Sequence, residues 1–193
     1  MVNMVLGLRL LKKGDVVGNA VYSVLLSDER RLESSYLEEE SIPQTFRSTY
    51  VLTFDDTPAL KDLLVKIQEI DFAKRGSLHL ACKRLQRTYG ESDAEDKLID
   101  LMIAFEALFL KGEKTGASPG QIVAVACSHL LGRNDEERDK IRASLTKAYK
   151  IRNSIVHGSA YVPTVKDNMI VNDLSDIVSE IEDYLREAIK KLL

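Results

Sequence analysis

Arg152-Asn153-Ser154-Ile155-Val156-His157, followed by Gly158, brings together side-chain types that can bind and transfer a phosphoryl group without a metal. Arginine presents a planar fork of donors to phosphate oxygens, and histidine moves protons near neutral pH. Ile141, Leu145, Ala148, Arg152 and Ile155 recur at spacings of four, three, four and three, so Arg152 falls in the packing stripe of a helix. An unpaired guanidinium on such a face is costly, so Arg152 needs a partner or a purpose. Asn153 and His157 are four apart and share a neighbouring face. On a regular helix Arg152 and His157 stand about 140° apart. They can still converge, because His157 is the last residue before the helix frays, next to Gly158, and its side chain is long. A plainer reading is that Arg152 braces a bundle and His157 caps a helix C-terminus, where a cation is favoured.

Carboxylates to meet Arg152 lie in a second helix. Leu98, Ile99, Leu101, Met102, Ile103, Ala104, Phe105, Ala107, Leu108, Phe109 and Leu110 cover it on every side, as in a helix surrounded by others. Only Asp100 and Glu106 interrupt that surface. Glu106 lies on the row Ile99, Ile103, Glu106, Leu110, and Asp100 on the small-residue row with Ala104 and Ala107. Either one of them is exposed at a bundle edge, or Arg152 pairs with Glu106 or Asp100 across two helices.

The elements that position these groups are well punctuated after Asp56. Thr57-Pro58 opens a helix to Ile70, and a second runs from about Arg75 to Tyr89. Ser92-x-x-Glu95 is read as a capping box for the third, Asp93 to Lys111, and Ser118-Pro119-x-Gln121 as one for the fourth, ending at Gly132. Asn134-x-x-Glu137 opens the fifth, which ends at His157-Gly158. After a break near Pro163, Leu174, Ile177, Ile181, Leu185 and Ile189 mark one side of a last helix, Asn172 to Lys191. Residues 57–193 are therefore expected to form a helical bundle and residues 1–56 a small β-containing or irregular appendage. Within it, Met1 to Lys13 reads equally as helix or strand. Val16 to Leu26 and Thr49 to Phe54 read as strands, and the acidic Ser27 to Gln44 as a loop or exposed helix.

Composition sets ordinary bounds. A chain of 193 residues, 45% hydrophobic and 30% charged, suits a soluble protein of one or two domains. A net charge of -3 announces no global nucleic-acid field. Basic residues instead cluster locally, at Lys74, Arg75, Lys83, Arg84, Arg87 and at Arg138, Lys140, Arg142, Lys147, Lys150. Either set could track an RNA backbone, or be a solvated helix face. Two cysteines make no disulfide framework and are read as buried thiols in a reducing cytoplasm. Cys127 and His129 point to nearly opposite sides of a helix, so no metal site is expected, and no cofactor. Lys111 to Gly116 lacks the full phosphate-loop pattern and reads as a connector. The apolar start, broken by Asn3 and Arg9, is no signal peptide, and no apolar run reaches the roughly 18 residues of a membrane span. Its abruptness suggests a piece of a longer protein whose other domain carries recognition.

At the residues singled out above, the chain resembles a family. Tyr149-x-x-Arg152-Asn153-x-x-x-His157-Gly158 is similar to the Arg-x-x-x-x-His motif of the HEPN superfamily of helical RNases and nucleotide-binding modules. The segment from Lys97 to Leu110, with its Ile-Asp-x-x-Ile-Ala-Phe-Glu-x-Leu-Phe run, resembles the central helix of the Apea-like HEPN subgroup, in which a basic residue commonly stands at the position of Lys97. The resemblance covers about Pro58 to Leu193. It implies an up-and-down helical bundle that dimerises, with the Arg and His of both subunits facing each other across a cleft. It further implies metal-independent cleavage of RNA. His157 would act as acid or base, Arg152 would stabilise the phosphorane, and Asn153 would orient His157 or a phosphate oxygen. Glu106 or Asp100 would hold Arg152, and Lys150, Lys147 and Arg142 would contact RNA. Three classes of function follow: a dimeric RNase such as the effector of a defence or toxin system, a catalytically silent interaction module, and a nucleotide-sensing module that binds without cleaving.

Overall fold

The computed structural model describes residues 2–14, 16, 21–26, 32–37, 50–110, 116–162, 165–166, 169–170 and 173–193. The chain is mainly helical and divides into two compact units, Met1–Gln68 and Glu69–Leu193. The division falls after the first helix of the expected bundle rather than before it.

In the first unit, Val2–Leu11 is a helix, α1, which settles the ambiguous start. Leu6 and Leu10, four apart, are its buried pair. A Cβ on Gly7 would meet Leu64 Cδ2 at 2.8 Å, so α1 lies tightly against α2, Thr57–Glu69, whose Leu63 and Ile67 are buried. The buried Arg9 donates from Nε to the Val16 carbonyl at 3.0 Å. Strand β1, Val21–Leu26, pairs antiparallel with β2, Leu32–Leu37, in the register Val21↔Leu37 to Leu26↔Leu32. A strand thus stands inside the stretch expected as loop or exposed helix. Residues 17–20, 27–31 and 38–44 of those two segments lie outside the described residues, as does Thr49. The strand expected over Thr49 to Phe54 is absent from 50–54, and Phe54–Asp56 forms a turn of 3-10 helix. The Thr53 N–H donates to Asp56 Oδ2 at 2.7 Å, a local acceptor that diverts the backbone from a ladder.

The second unit is built from α3, Gly76–Thr88; α4, Ala94–Phe109; α5, Pro119–Leu131; α6, Asp135–Val156; and α7, Leu174–Leu192. A two-residue ladder, β3 Val165–Lys166 with β4 Met169–Ile170, precedes α7. All five helices start and stop within two residues of the positions expected from caps and glycines. Ser118 and Gln121 form the reciprocal capping box, and Asn134 Oδ1 accepts from the Glu137 N–H at 2.8 Å. The cap of α4 is Asp93, not Ser92: its Oδ1 accepts from the Glu95 N–H at 2.7 Å. A carboxylate there also favours the positive end of the helix dipole.

Helix α4 packs against each of the other four. Leu98, Leu101, Met102, Ala104 and Phe105 are fully buried, each large apolar side chain contributing about 1.5–3 kcal/mol of transfer free energy. The α7 stripe, Leu174, Ile177, Ile181, Leu185 and Ile189, is buried throughout. Arg186 is buried beside it and bonded to Glu182, Asp183 and the Tyr89 hydroxyl, so its charge is met locally. Among the described residues no helix is long and apolar enough to cross a membrane.

Candidate functional site

Helix α6 carries Ile141, Leu145 and Ala148 into the core, and Arg152 follows on the same stripe where that face meets α4. Arg152 Nη2 lies 3.5 Å from Glu106 Oε2, and the two side chains are 20% and 23% exposed. Of the two carboxylates expected to meet Arg152, Glu106 does so. Arg152 Nη1 donates to Asn153 Oδ1 at 3.1 Å. Its Nε is shielded from solvent and has no hydrogen-bond partner among the described residues. The guanidinium is thus oriented from two sides without being saturated.

A further residue, to which no site role was given from the sequence, completes this arrangement. Tyr149, one turn before Arg152, donates its hydroxyl to Glu106 Oε1 at 2.8 Å. Its ring centroid is 5.7 Å from Arg152 Cζ, within cation–π range. One carboxylate therefore receives Tyr149 on one oxygen and Arg152 on the other. Burial, and then the bond to Glu106, raise the Tyr149 phenol above its ordinary value, so it remains a donor at neutral pH. The ring packs against the N-terminus of α5: a Cβ on Gly120 would meet Tyr149 Cδ1 at 2.7 Å and Cγ at 2.8 Å. Only a residue without a side chain admits the ring there. The sequence signal was Tyr149 three before Arg152; the burial of Gly120 shows only in the structure.

Asp100, the other expected partner, is not part of this cluster. It is buried and bonded to α3, with Arg84 Nη1 at 2.7 Å from Oδ1 and Arg87 Nε at 3.1 Å from Oδ2. Asp100 and Glu106 are about 120° apart around α4, so they face different neighbours. The first basic cluster, read as either an RNA track or a solvated helix face, is instead tied largely within the protein. Arg84 and Arg87 satisfy Asp100, Arg75 Nη2 donates to the Leu192 carbonyl at 2.8 Å, and Lys74 pairs with Asp71. Three of these are structural ties at helix ends and seams.

His157 ends α6 in a bridge-region conformation, φ -87° and ψ 11°, and its N–H donates to the Asn153 carbonyl at 3.0 Å. Gly158 follows at φ 85°, the left-handed geometry that a glycine after a helix supplies. The imidazole is exposed and has no hydrogen bond or ion pair among the described residues. The side-chain oxygen of Asn153 accepts from Arg152, whereas the expectation is that Asn153 orients His157 or a phosphate oxygen. Arg152, Asn153 and Glu106 are together; the exposed His157 side chain has no hydrogen bond or ion pair with them among the described residues.

Arg142, Lys147 and Lys150 do converge. They line one open groove of about 540 Å³ on the outer side of α6. Cys82 and Cys127 are both buried, and burial pushes each thiol up to about 12, so neither is a nucleophile or a ready metal ligand at neutral pH. Residues 111–115 of the phosphate-loop-like connector lie outside the described residues. Compared with known proteins, the chain matches no family model, no curated protein and no solved structure.

Proposed function

We propose that the chain is a metal-independent endoribonuclease of HEPN type, acting as a homodimer on single-stranded RNA. A ribose 2′-OH attacks the adjacent phosphorus as His157 takes its proton. The new P–O2′ bond forms, the P–O5′ bond breaks, and a proton returns to the leaving 5′ oxygen. The products are a 2′,3′-cyclic phosphate and a 5′-OH end. Arg152 stabilises the extra charge on the phosphorane, where a guanidinium ordered beforehand needs no reorganisation. Glu106, Tyr149 and Asn153 are positioning residues for it.

The observation that carries this reading is the state of Arg152. It is held by a carboxylate, an amide and an aromatic ring, yet one of its donors has no partner. A brace alone would be better served by a saturated arginine, such as Arg186 on α7. The pairing with Glu106 is also what a silent interaction or nucleotide-sensing module would use, and this is the second reading. Incubating the protein with mixed single-stranded RNA in EDTA, beside an Arg152→Ala/His157→Ala variant, separates them. Cleavage by the parent alone, leaving 2′,3′-cyclic phosphate ends, is the expected result. No cleavage by the parent gives the silent module, and cleavage that requires Mg²⁺ refutes the mechanism.

A further inference from the structure

The groove outside α6 has a composition that the Arg152 cluster does not account for. Besides Arg142, Lys147 and Lys150 it is lined by Tyr161, Ile151 and Val162. Tyr161 comes from the segment after α6, and its N–H donates to Glu95 Oε1 at 2.9 Å, fixing that segment to the start of α4. Val162 beside it is 79% exposed. Asp139 is the one carboxylate in the lining, and it already accepts from Arg142 Nη1 at 3.1 Å. Arg142 Nε is shielded from solvent and has no acceptor among the described residues. Three cations, an aromatic ring and an apolar wall in a cavity of about 540 Å³ are a ligand-sized site with a defined chemistry. Phosphates suit the cations, and the ring offers a stacking platform to a base. Duplex RNA has no free base face to give it.

The groove also points toward the end of α6. Lys150 and His157 are seven residues apart, so they lie within about 20° of each other around the helix and about 10 Å apart along it. That is a step of one or two nucleotides along an extended strand. We propose that this groove is a subsite for single-stranded RNA, in which a base stacks on Tyr161 while Arg142, Lys147 and Lys150 take the flanking phosphates. The class of ligand rests on the ribonuclease reading; the subsite itself is a separate feature of the surface.

The test measures binding without turnover. A fluorescently labelled eight-nucleotide oligouridine is titrated into the full chain carrying His157→Ala, and anisotropy is read at several salt concentrations. Adding Tyr161→Leu should weaken binding about 5- to 150-fold, the range for loss of one base–aromatic stack. Tyr161→Phe should bind as its parent does. Adding Arg142→Gln, Lys147→Gln and Lys150→Gln together should lower the slope of log K against log salt by about 2. A duplex of equal length should bind more weakly than the single strand. Circular dichroism on each variant verifies the fold, and the Tyr161→Phe and triple variants decide the matter if Tyr161→Leu unfolds. Binding unaffected by both the tyrosine and the triple substitutions overturns the subsite, as does no binding below about 100 μM, the weak end of non-specific association. Loss of binding in those variants, with an unsubstituted chain that cuts no RNA in EDTA, keeps the subsite and removes the ribonuclease reading instead.

Discussion

Replacing Arg152 with alanine tests the site and the fold together. The nearest charged atoms of Arg152 and Glu106 are 3.5 Å apart, which at an effective dielectric of about 20 is a gross attraction of about 5 kcal/mol. Two terms reduce it. Both side chains are about one-fifth exposed, so water relieves part of the charge left on Glu106. Tyr149 also continues to donate to Glu106 after the arginine is gone. The expected cost therefore lies between the 0–1 kcal/mol of a surface pair and the 3–5 kcal/mol of a buried one, at about 1–2 kcal/mol. For a chain of this size that is a fall in Tm of about 2–8 °C. A double-mutant cycle with Glu106→Gln, read by urea denaturation, isolates the pair, and a coupling of about 1 kcal/mol is expected. Coupling below about 0.3 kcal/mol, with an unchanged Tm in Arg152→Ala, would mean that the arginine is not held by this carboxylate, and the account of its ordering would fall.

Three other outcomes follow from the same geometry. Gly120→Ala forces the Tyr149 ring to move, so a loss of about 1–3 kcal/mol from overpacking is expected in denaturant titration, with a larger fractional loss of cleavage because the ring carries the bond to Glu106. His157→Ala should change stability by no more than about 0.5 kcal/mol, since the side chain is exposed, yet lower cleavage at least about 10²-fold; a variant with full activity would remove His157 from the mechanism. Cys82 and Cys127, with Tyr89 and Tyr184, all have folded values raised to about 12 against ordinary values of 9.0 and 10.0, so folding keeps their protons on. Their contribution to stability is whole below about pH 9 and is lost as pH rises from there toward 12; a urea midpoint that rose over that interval would contradict their burial.

The second unit was largely legible because its signals are local. Caps, glycine stops and apolar spacing fix where a helix begins, ends and faces; α5 and α6 carry both a side-chain cap and a glycine stop, and α7 a side-chain cap and a one-sided apolar stripe. The strand β2 was not legible. Its sequence, Leu32-Glu33-Ser34-Ser35-Tyr36-Leu37, has no strong strand composition, and it is a strand by virtue of pairing with β1. The site divides in the same way. Arg152 was found because a cation broke an apolar stripe, and Glu106 because a carboxylate broke another. Which carboxylate met which arginine depends on how α4 is rotated against α3 and α6. Arg84 and Arg87 read as part of a solvated face or an RNA track, and no local rule ties them to Asp100. The approach of Gly120 to Tyr149 is a contact between helices, invisible until both are placed.

The division of roles along α6 bears on why the proposed site calls for two copies. Arg152 lies on the stripe that packs toward α4, and Glu106 and Asn153 hold it there. His157 lies about 140° further round and is exposed, with no hydrogen bond or ion pair to Arg152 among the described residues. A phosphate seated against one guanidinium is therefore poorly placed for the imidazole of the same chain. A two-fold axis at the end of α6 removes the difficulty, since an isologous interface brings the histidine of one copy toward the arginine of the other. The exposed Val156 offers apolar surface at that end of the helix. On this account assembly and catalysis rise together with protein concentration. Specific activity per chain should increase through the dimer's dissociation constant, and mixing Arg152→Ala with His157→Ala chains should restore activity that neither has alone. Activity per chain that is independent of dilution, in a species that light scattering finds monomeric, would place the whole reaction on one chain and leave the separation of Arg152 from His157 without a purpose.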